Sequence, residues 1–168
     1  MPHLHKVNCS IARALGQVGE RWSMLIIREA LMGSIRFDEF QERLGVARNI
    51  LNSRLSTLVG NGVMTRTRSP DNARIFHYRL TPKGLELLPV LASLMQWGDR
   101  WIHNEIGAPI VLVDRESQTP VRALEISGQN GKPLRFSDIE IMAGPGATPA
   151  MRKRLVSKNP ISVPRSFS

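Results

Sequence analysis

Two adjacent sequence patterns restrict the possible folds of this chain. The first predicts an amphipathic helix with a leucine face, and the second predicts two strands joined by a turn. In "VARNILNSRLSTLVG", Leu51, Leu55 and Leu58 recur at i, i+4 and i+7, which places them on one face of a helix. We predict a helix over residues 47–60 with this face buried. Its opposite face is polar and carries no acid; it consists of Arg48, Asn49, Asn52, Ser53 and Ser56. Such a face suits either solvent or a polyanion.

Residues 63–80 predict a β-hairpin. The runs "VMTRTRS" and "IFHYRL" have the period-two character of strands, and Pro70, Asp71 and Asn72 between them favour a turn. Its polar candidates for contact with a phosphate backbone are Arg66, Arg68, Asn72 and Arg74.

Three further helices are predicted before residue 47. Gly19 separates two helical patterns within residues 9–33, and Gly33 ends the second. "FDEFQERLG" then predicts a short amphipathic helix closed by Gly45. A helix, a brief turn and a second helix with an outward Arg/Asn/Ser face is the helix-turn-helix plan, in which the second helix enters the major groove. An arginine guanidinium can donate two hydrogen bonds to guanine, and an asparagine side-chain amide can pair with adenine.

The charge balance favours a polyanionic partner. Lys and Arg number 23 against 14 Asp and Glu, giving a formal net charge of +9, which fits nucleic acid or an anionic membrane surface. No apolar run approaches the length of a bilayer span, and the N-terminus lacks the apolar core of a signal peptide, so we expect a cytoplasmic protein. Paired catalytic carboxylates, a nucleophile elbow and a phosphate-cradling glycine loop are not recognisable, so neither an enzyme nor a cofactor is predicted.

The segment "LTPKGLELLPVLASLMQWGDRWIHNEI" predicts a long helix capped by Thr81, with Pro82 at its first position. Pro89 is expected either to lie in the first turns of this helix or to kink it. It carries two neighbouring apolar stripes, whereas one stripe would be enough to cover a monomer's core. One stripe is Leu87, Leu91, Leu94 and Trp101, and the other is Leu88, Met95 and Ile102. A second copy of the chain is the simplest partner for the other stripe. The residues expected at this homodimer contact are Leu88, Leu91, Leu94, Met95 and Trp101.

Several short motifs then occur in an order that resembles one family. They are "VGERW", "LIIREAL", "RFDEF", "LTPKG" and "WGDRW". Together they are similar to the HxlR family of bacterial transcriptional regulators, winged-helix proteins related to the MarR group. The resemblance spans residues 7–103 and implies a homodimer, held by its first and last helices, that binds a palindromic operator. It also implies a recognition helix over 47–60 and a wing tip over 69–74.

Cys9 is the single cysteine of the chain. The resemblance implies a redox or electrophile sensor at this position in some members, whereas free cysteines are more often small buried packing residues. One cysteine also rules out an internal disulfide or a multi-cysteine zinc site.

The predicted fold is mainly α with a small β wing: a winged helix-turn-helix over residues 1–106. Residues 107–148 predict a small β-rich appendage. The appendage of some longer family relatives resembles a zinc ribbon, but here the positions similar to ligand cysteines hold Ser117, Ser127 and Asn130, so no metal is predicted. Residues 149–168 are basic, and we expect them to be disordered or loosely docked, with nonspecific contact to DNA as one role for their charge.

Three functional hypotheses remain. The first is a dimeric transcription factor that binds double-stranded DNA, with a small-molecule or oxidant effector left open. The second is an architectural protein that binds DNA without sequence preference. The third is a redox or ligand sensor whose winged helix mediates protein association only. Sequence competition and salt dependence separate the first two, and the third predicts no DNA binding.

Overall fold

The computed structural model describes residues 8–102 and 105–156. Residues 157–168, the last part of the basic tail, therefore lie outside the described residues. The chain divides into two compact units, Met1–Val121 and Arg122–Ser168. This boundary falls inside the segment 107–148, which the sequence treats as one appendage.

Four helices form the N-terminal part of the first unit. They are α1 (Ser10–Val18), α2 (Arg21–Leu31), α3 (Phe37–Leu44) and α4 (Arg48–Gly60). Gly19 lies between α1 and α2 as predicted, and Gly45 ends α3 with a φ of 60°, a left-handed conformation that glycine adopts without strain. The predicted helix over 47–60 is confirmed by α4.

The predicted hairpin is confirmed by the antiparallel strands β1 (Met64–Arg68) and β2 (Phe76–Leu80). Arg66 is paired with Tyr78, and Arg68 is paired with Phe76. Because side chains alternate along a strand, these four residues share one face of the hairpin. The backbone before α3 joins the other edge of β2, where the Tyr78 amide donates to the Ile35 carbonyl at 2.7 Å.

The core of this unit is built around the leucine stripe of α4. Leu51, Leu55 and Leu58 are fully buried, as predicted, and pack with other apolar residues of α2, α3 and the hairpin. Burying a side chain of this kind contributes about 1.5–3 kcal/mol. The opposite face of α4 is thereby held outward.

The predicted helix after Thr81 is interrupted next to Pro89, which is one of the two outcomes expected there. The structure has a single turn, α5 (Pro82–Leu85), followed by α6 (Leu88–Trp101). Pro89 has no N–H to donate to the Leu85 carbonyl, and its ring would clash there in a continuous helix. The helix restarts so that Pro89 lies in the first turn of α6, where the missing donor is harmless. The Thr81 cap is confirmed, since its hydroxyl oxygen accepts from the Gly84 amide at 3.2 Å.

Residues 105–156 contain little regular structure. The segment expected to be β-rich holds two isolated antiparallel bridges, Val113 with Pro120 and Ser127 with Pro133, and a short 3₁₀ helix over Phe136–Asp138. Pro149–Val156 form helix α7, so the described part of the basic tail is helical. Across the described ranges, no helix combines the length and apolar content needed to cross a membrane.

Candidate nucleic-acid interface

The turn between α3 and α4 fixes how α4 is presented. Gly45 reverses the chain, Val46 is buried and anchors the turn, and Ala47 precedes the first residue of α4. At the other end of α3, the Glu39 carboxylate accepts from the Ile35 and Arg36 amides at 2.8 and 3.0 Å. These hydrogen bonds hold the pKa of Glu39 below its usual value, because they favour the ionised form.

The polar face of α4 is exposed along its length. All five residues expected to contact DNA are exposed: Arg48, Asn49, Asn52, Ser53 and Ser56. The helix has no side-chain cap at its start and no acid in its first turn. The surface is therefore open to an anion.

The hairpin exposes the second group of candidates: Arg66, Arg68, Asn72 and Arg74. Asn72 also shapes the turn, because its side-chain oxygen accepts from the Arg74 amide at 2.9 Å. The Ser69 amide donates to the Ile75 carbonyl at 2.8 Å and closes the base of the turn. The turn thus holds Arg74 at its tip.

A cleft of about 680 Å³ lies between α4 and the hairpin. We call it the arginine cleft; its lining residues are Arg36, Phe37, Asp38, Arg48, Asn49, Asn52, Arg66, Arg74, Ile75, Phe76 and Tyr78. Four guanidinium groups thus face one carboxylate. Sequence periodicity identifies Phe37 only as part of an amphipathic helix, and it gives no sign that helix and hairpin residues share a cavity.

Two arginines of the arginine cleft stack on aromatic rings. The Arg48 guanidinium carbon lies 5.1 Å from the centroid of the Phe37 ring, and that of Arg66 lies 3.6 Å from the Phe76 centroid. Both are within cation–π range. The carboxylate of the cleft, Asp38, is bound by Arg36 at 2.7 and 3.2 Å.

Arg54 differs in its contacts from Arg48, the other arginine of α4. It lies at the margin of the leucine stripe, where an intramolecular ion pair is at least as plausible from sequence as a phosphate contact. Its guanidinium is 3.9 Å from the Glu20 carboxylate at the start of α2. This contact ties α4 to the scaffold.

The candidate dimer residues all lie on α6, but not all of them are on the surface. Leu88, Leu94 and Trp101 are 42%, 55% and 63% exposed, and Met95 is half-buried. Leu91 is only 6% exposed and packs in the chain's own core, so little of its surface is left for a second copy. The predicted stripe that contains Leu91 is therefore divided, because Leu91 is buried whereas Leu94 and Trp101 on the same stripe are exposed.

Cys9 is half-buried and stands immediately before α1. Among the residues the structure describes, no three His, Cys, Asp or Glu side chains are grouped as metal ligands would be. Ser117, at a position similar to a zinc-ligand cysteine, instead donates from its hydroxyl to Asp114 at 2.9 Å. Its hydroxyl and amide hold the pKa of Asp114 below its usual value.

The helix-turn-helix, its exposed polar helix and the adjoining two-stranded wing define a winged helix-turn-helix protein. A family model described as HxlR-like helix-turn-helix matches residues 17–106. The chain belongs to this family, which confirms the resemblance of the short motifs.

Individual relatives extend the similarity. The HTH-type transcriptional regulator Rv3095 of Mycobacterium tuberculosis is 43% identical over 103 residues, which are 61% of this chain and 65% of that protein. The chain thus spans just under two thirds of that relative. The crystal structure of the transcription-factor candidate PA1607 superposes with a TM-score of 0.77 at 38% identity, covering 83% of this chain and 98% of that one. PA1374 of Pseudomonas aeruginosa gives a TM-score of 0.60 at 39% identity, covering 88% and 100%.

Proposed function

We propose that this chain is a transcriptional regulator that binds double-stranded DNA in the cytoplasm. The observation that carries the proposal is the acid-free polar face of α4 beside an arginine-bearing hairpin, on the scaffold of the HxlR-like helix-turn-helix family. Its similarity to a transcriptional regulator and to a transcription-factor candidate supports the same activity. A helix of this shape fits the major groove of B-DNA, and a two-stranded wing beside it reaches the neighbouring phosphates or the minor groove.

The helix and the wing have different tasks in this proposal. Asn49 and Asn52 on α4 read base edges, because an asparagine amide can pair with both hydrogen-bonding atoms of adenine. Ser53 and Ser56 extend this surface along the helix. Arg68 and Arg74 on the hairpin contact phosphate or the minor groove, which adds affinity with little dependence on sequence.

The regulator acts as a homodimer in this proposal. The exposed apolar side chains of α6 include Leu94, Trp97 and Trp101. Helix α1 adds Ile11 and Leu15, which are 71% and 51% exposed. Large apolar side chains concentrated on two helices favour contact with another protein surface, and a two-fold dimer is the commonest solution. Two-fold symmetry in the protein then requires a palindromic operator.

Sequencing the genomic DNA retained by the purified protein identifies the operator. Alanine at Asn49 or Asn52 is then expected to weaken operator binding by about 1–3 kcal/mol and to leave scrambled duplex nearly unchanged. Alanine at Arg68 or Arg74 is expected to weaken both duplexes and to flatten the salt dependence by roughly one unit per lost phosphate contact.

The results separate this proposal from its rivals. If the asparagine variants lose affinity equally on both duplexes, α4 does not read sequence. If only the wing variants matter, the architectural hypothesis is the better one. If the unaltered chain shifts no duplex at any salt concentration, the protein-association hypothesis replaces both.

Light scattering tests the dimer. The unaltered chain is expected to have the mass of two copies at micromolar concentration, and Leu94→Asp is expected to have the mass of one. Leu94 is chosen because it is exposed, whereas a charge at Leu91 would disrupt the chain's own core. A monomeric mass for the unaltered chain would remove both the dimer and the reason for a palindrome.

A further inference from the structure

We infer that the arginine cleft holds the sugar–phosphate backbone of one DNA strand, with Arg48 and Arg66 as its phosphate ligands and Phe37 and Phe76 as positioning residues. This inference rests on the proposed DNA-binding function and deepens it. It changes the task of Arg48, which its residue type and helix face make a candidate base reader.

The placement of the cleft supplies the first argument. The major and minor grooves of B-DNA are separated by a sugar–phosphate backbone, so a protein with a helix in one groove and a hairpin at the next must straddle that backbone. In this chain the space between those two elements is the arginine cleft. The strand that separates the grooves therefore runs through it.

The charge of the cleft supplies the second argument. Its one carboxylate, Asp38, is already held by two nitrogens of Arg36. Within the described residues, neither Arg48 nor Arg66 has a carboxylate at ion-pair distance, so both guanidinium groups retain donors for a phosphate. The first turn of α4, which forms one wall, also lacks a capping side chain and an acid. Phosphate is the anion that DNA presents at that position.

The aromatic rings determine where the two guanidinium groups lie. Phe37 is the first residue of α3 and Arg48 the first of α4, and the contact between the Phe37 ring and the Arg48 guanidinium lies in the lining of the cleft. Phe76 lies diagonally across the hairpin from Arg66 on the same face. A guanidinium that stacks by its face leaves its edge N–H groups free to fork onto a phosphate.

The test neutralises DNA phosphates one at a time. An operator duplex of about 30 base pairs, which contains two half-sites one turn apart, is made with a methylphosphonate at each successive position. At one position the unaltered chain is expected to lose about tenfold in affinity, as for a charge-assisted hydrogen bond. The affinity of the Arg48→Ala variant is expected not to change with a methylphosphonate at that position. The affinity of the Arg66→Ala variant is expected not to change with a methylphosphonate at a nearby position on the same strand.

Arg79→Ala is the matched control. Arg79 lies on the opposite face of the same hairpin and does not line the cleft, so its variant loses one arginine without touching the proposed site. It is expected to keep the parent's sensitivity at both phosphates. Equal loss of sensitivity in Arg79→Ala would show a general effect of charge and overturn the inference.

The positioning role has its own variants. Phe37→Leu is expected to bind two- to fivefold more weakly, the range expected for a lost exposed cation–π contact of about this strength, and to lose part of the coupling between Arg48 and its phosphate. Phe37→Tyr retains a ring and is expected to restore both. The coupling is the ratio of one variant's affinities for the unmodified and the methylphosphonate duplex. A partly unfolded fraction of the variant lowers both affinities equally, so it does not change this ratio. Equal coupling in the Leu and Tyr variants would exclude positioning by the ring.

Failure of the inference differs from failure of the proposed function. If Arg48→Ala weakens only the operator and keeps the full methylphosphonate response, Arg48 reads a base and the inference is wrong while DNA recognition stands. If the unaltered chain binds no duplex, the proposed function fails and the inference falls with it.

Discussion

Glu39 offers a quantitative test of how the helix-turn-helix is attached to the wing. Its carboxylate accepts from the amides of Ile35 and Arg36, and the carbonyl of Ile35 in turn accepts from Tyr78 on β2. One side chain thus organises both the start of α3 and the segment beside the hairpin. Two hydrogen bonds of normal length to an ionised acceptor are lost in Glu39→Ala, so the free energy of unfolding is expected to fall by about 1–2 kcal/mol at pH 7.

The pH dependence follows from the lowered pKa. A carboxyl whose folded-state pKa is depressed stabilises the fold fully above its unfolded pKa of about 4.3, and this stabilisation is lost as pH falls through the folded-state value. The difference between parent and Glu39→Ala is therefore expected to be largest at neutral pH and to shrink in acid. Glu39→Gln keeps a neutral acceptor and is expected to fall between them at neutral pH.

Urea unfolding followed by circular dichroism at several pH values measures these differences. Glu42→Ala is the control, since it removes an exposed carboxylate from the same helix and is expected to change stability by less than about 0.5 kcal/mol. If the loss in free energy of unfolding caused by Glu39→Ala is the same at neutral and acidic pH, the ionised carboxylate is not what caps the helix. A deficit no larger than that of Glu42→Ala would refute the cap altogether.

Two further predictions concern Gly84 and Cys9. A Cβ at Gly84 would lie 2.3 Å from the Val63 carbonyl oxygen, so Gly84→Ala is expected to lower the free energy of unfolding by about 1–3 kcal/mol despite the better helix propensity of alanine. Gly60→Ala in α4, where nothing lies within 4 Å, is expected to be neutral or slightly stabilising, and the same loss at both sites would contradict the clash. If Cys9 is an oxidant sensor, a quinone is expected to change the operator affinity of the parent chain but not that of Cys9→Ser. Serine is chosen because it is a favoured residue at the N-cap position of a helix, which Cys9 occupies in α1. An equal response in both chains would return Cys9 to a packing role.

Local sequence determined the parts of this protein whose cause is local. The spacing of Leu51, Leu55 and Leu58 fixes which face of α4 is buried, because helical periodicity alone puts them on one side. Gly45 and the turn residues 70–72 mark chain reversals because few other residues adopt those conformations as readily. The family motifs occur in the same local segments.

Tertiary structure decided what depends on neighbours distant in sequence. Two apolar stripes run along α6, and only the packing of the other elements determines that Leu91 is buried while Leu94 is exposed. The placement of α5 likewise depends on contacts distant in sequence, because Thr81 donates to the Val63 carbonyl and Gly84 lies close to the same oxygen. The arginine cleft is assembled from α3, α4 and both strands, so its stacking of Arg48 on Phe37 and of Arg66 on Phe76 has no signature in residue spacing. Periodicity encodes which way a side chain points on its own element, whereas the partner that it meets is set by how the elements pack.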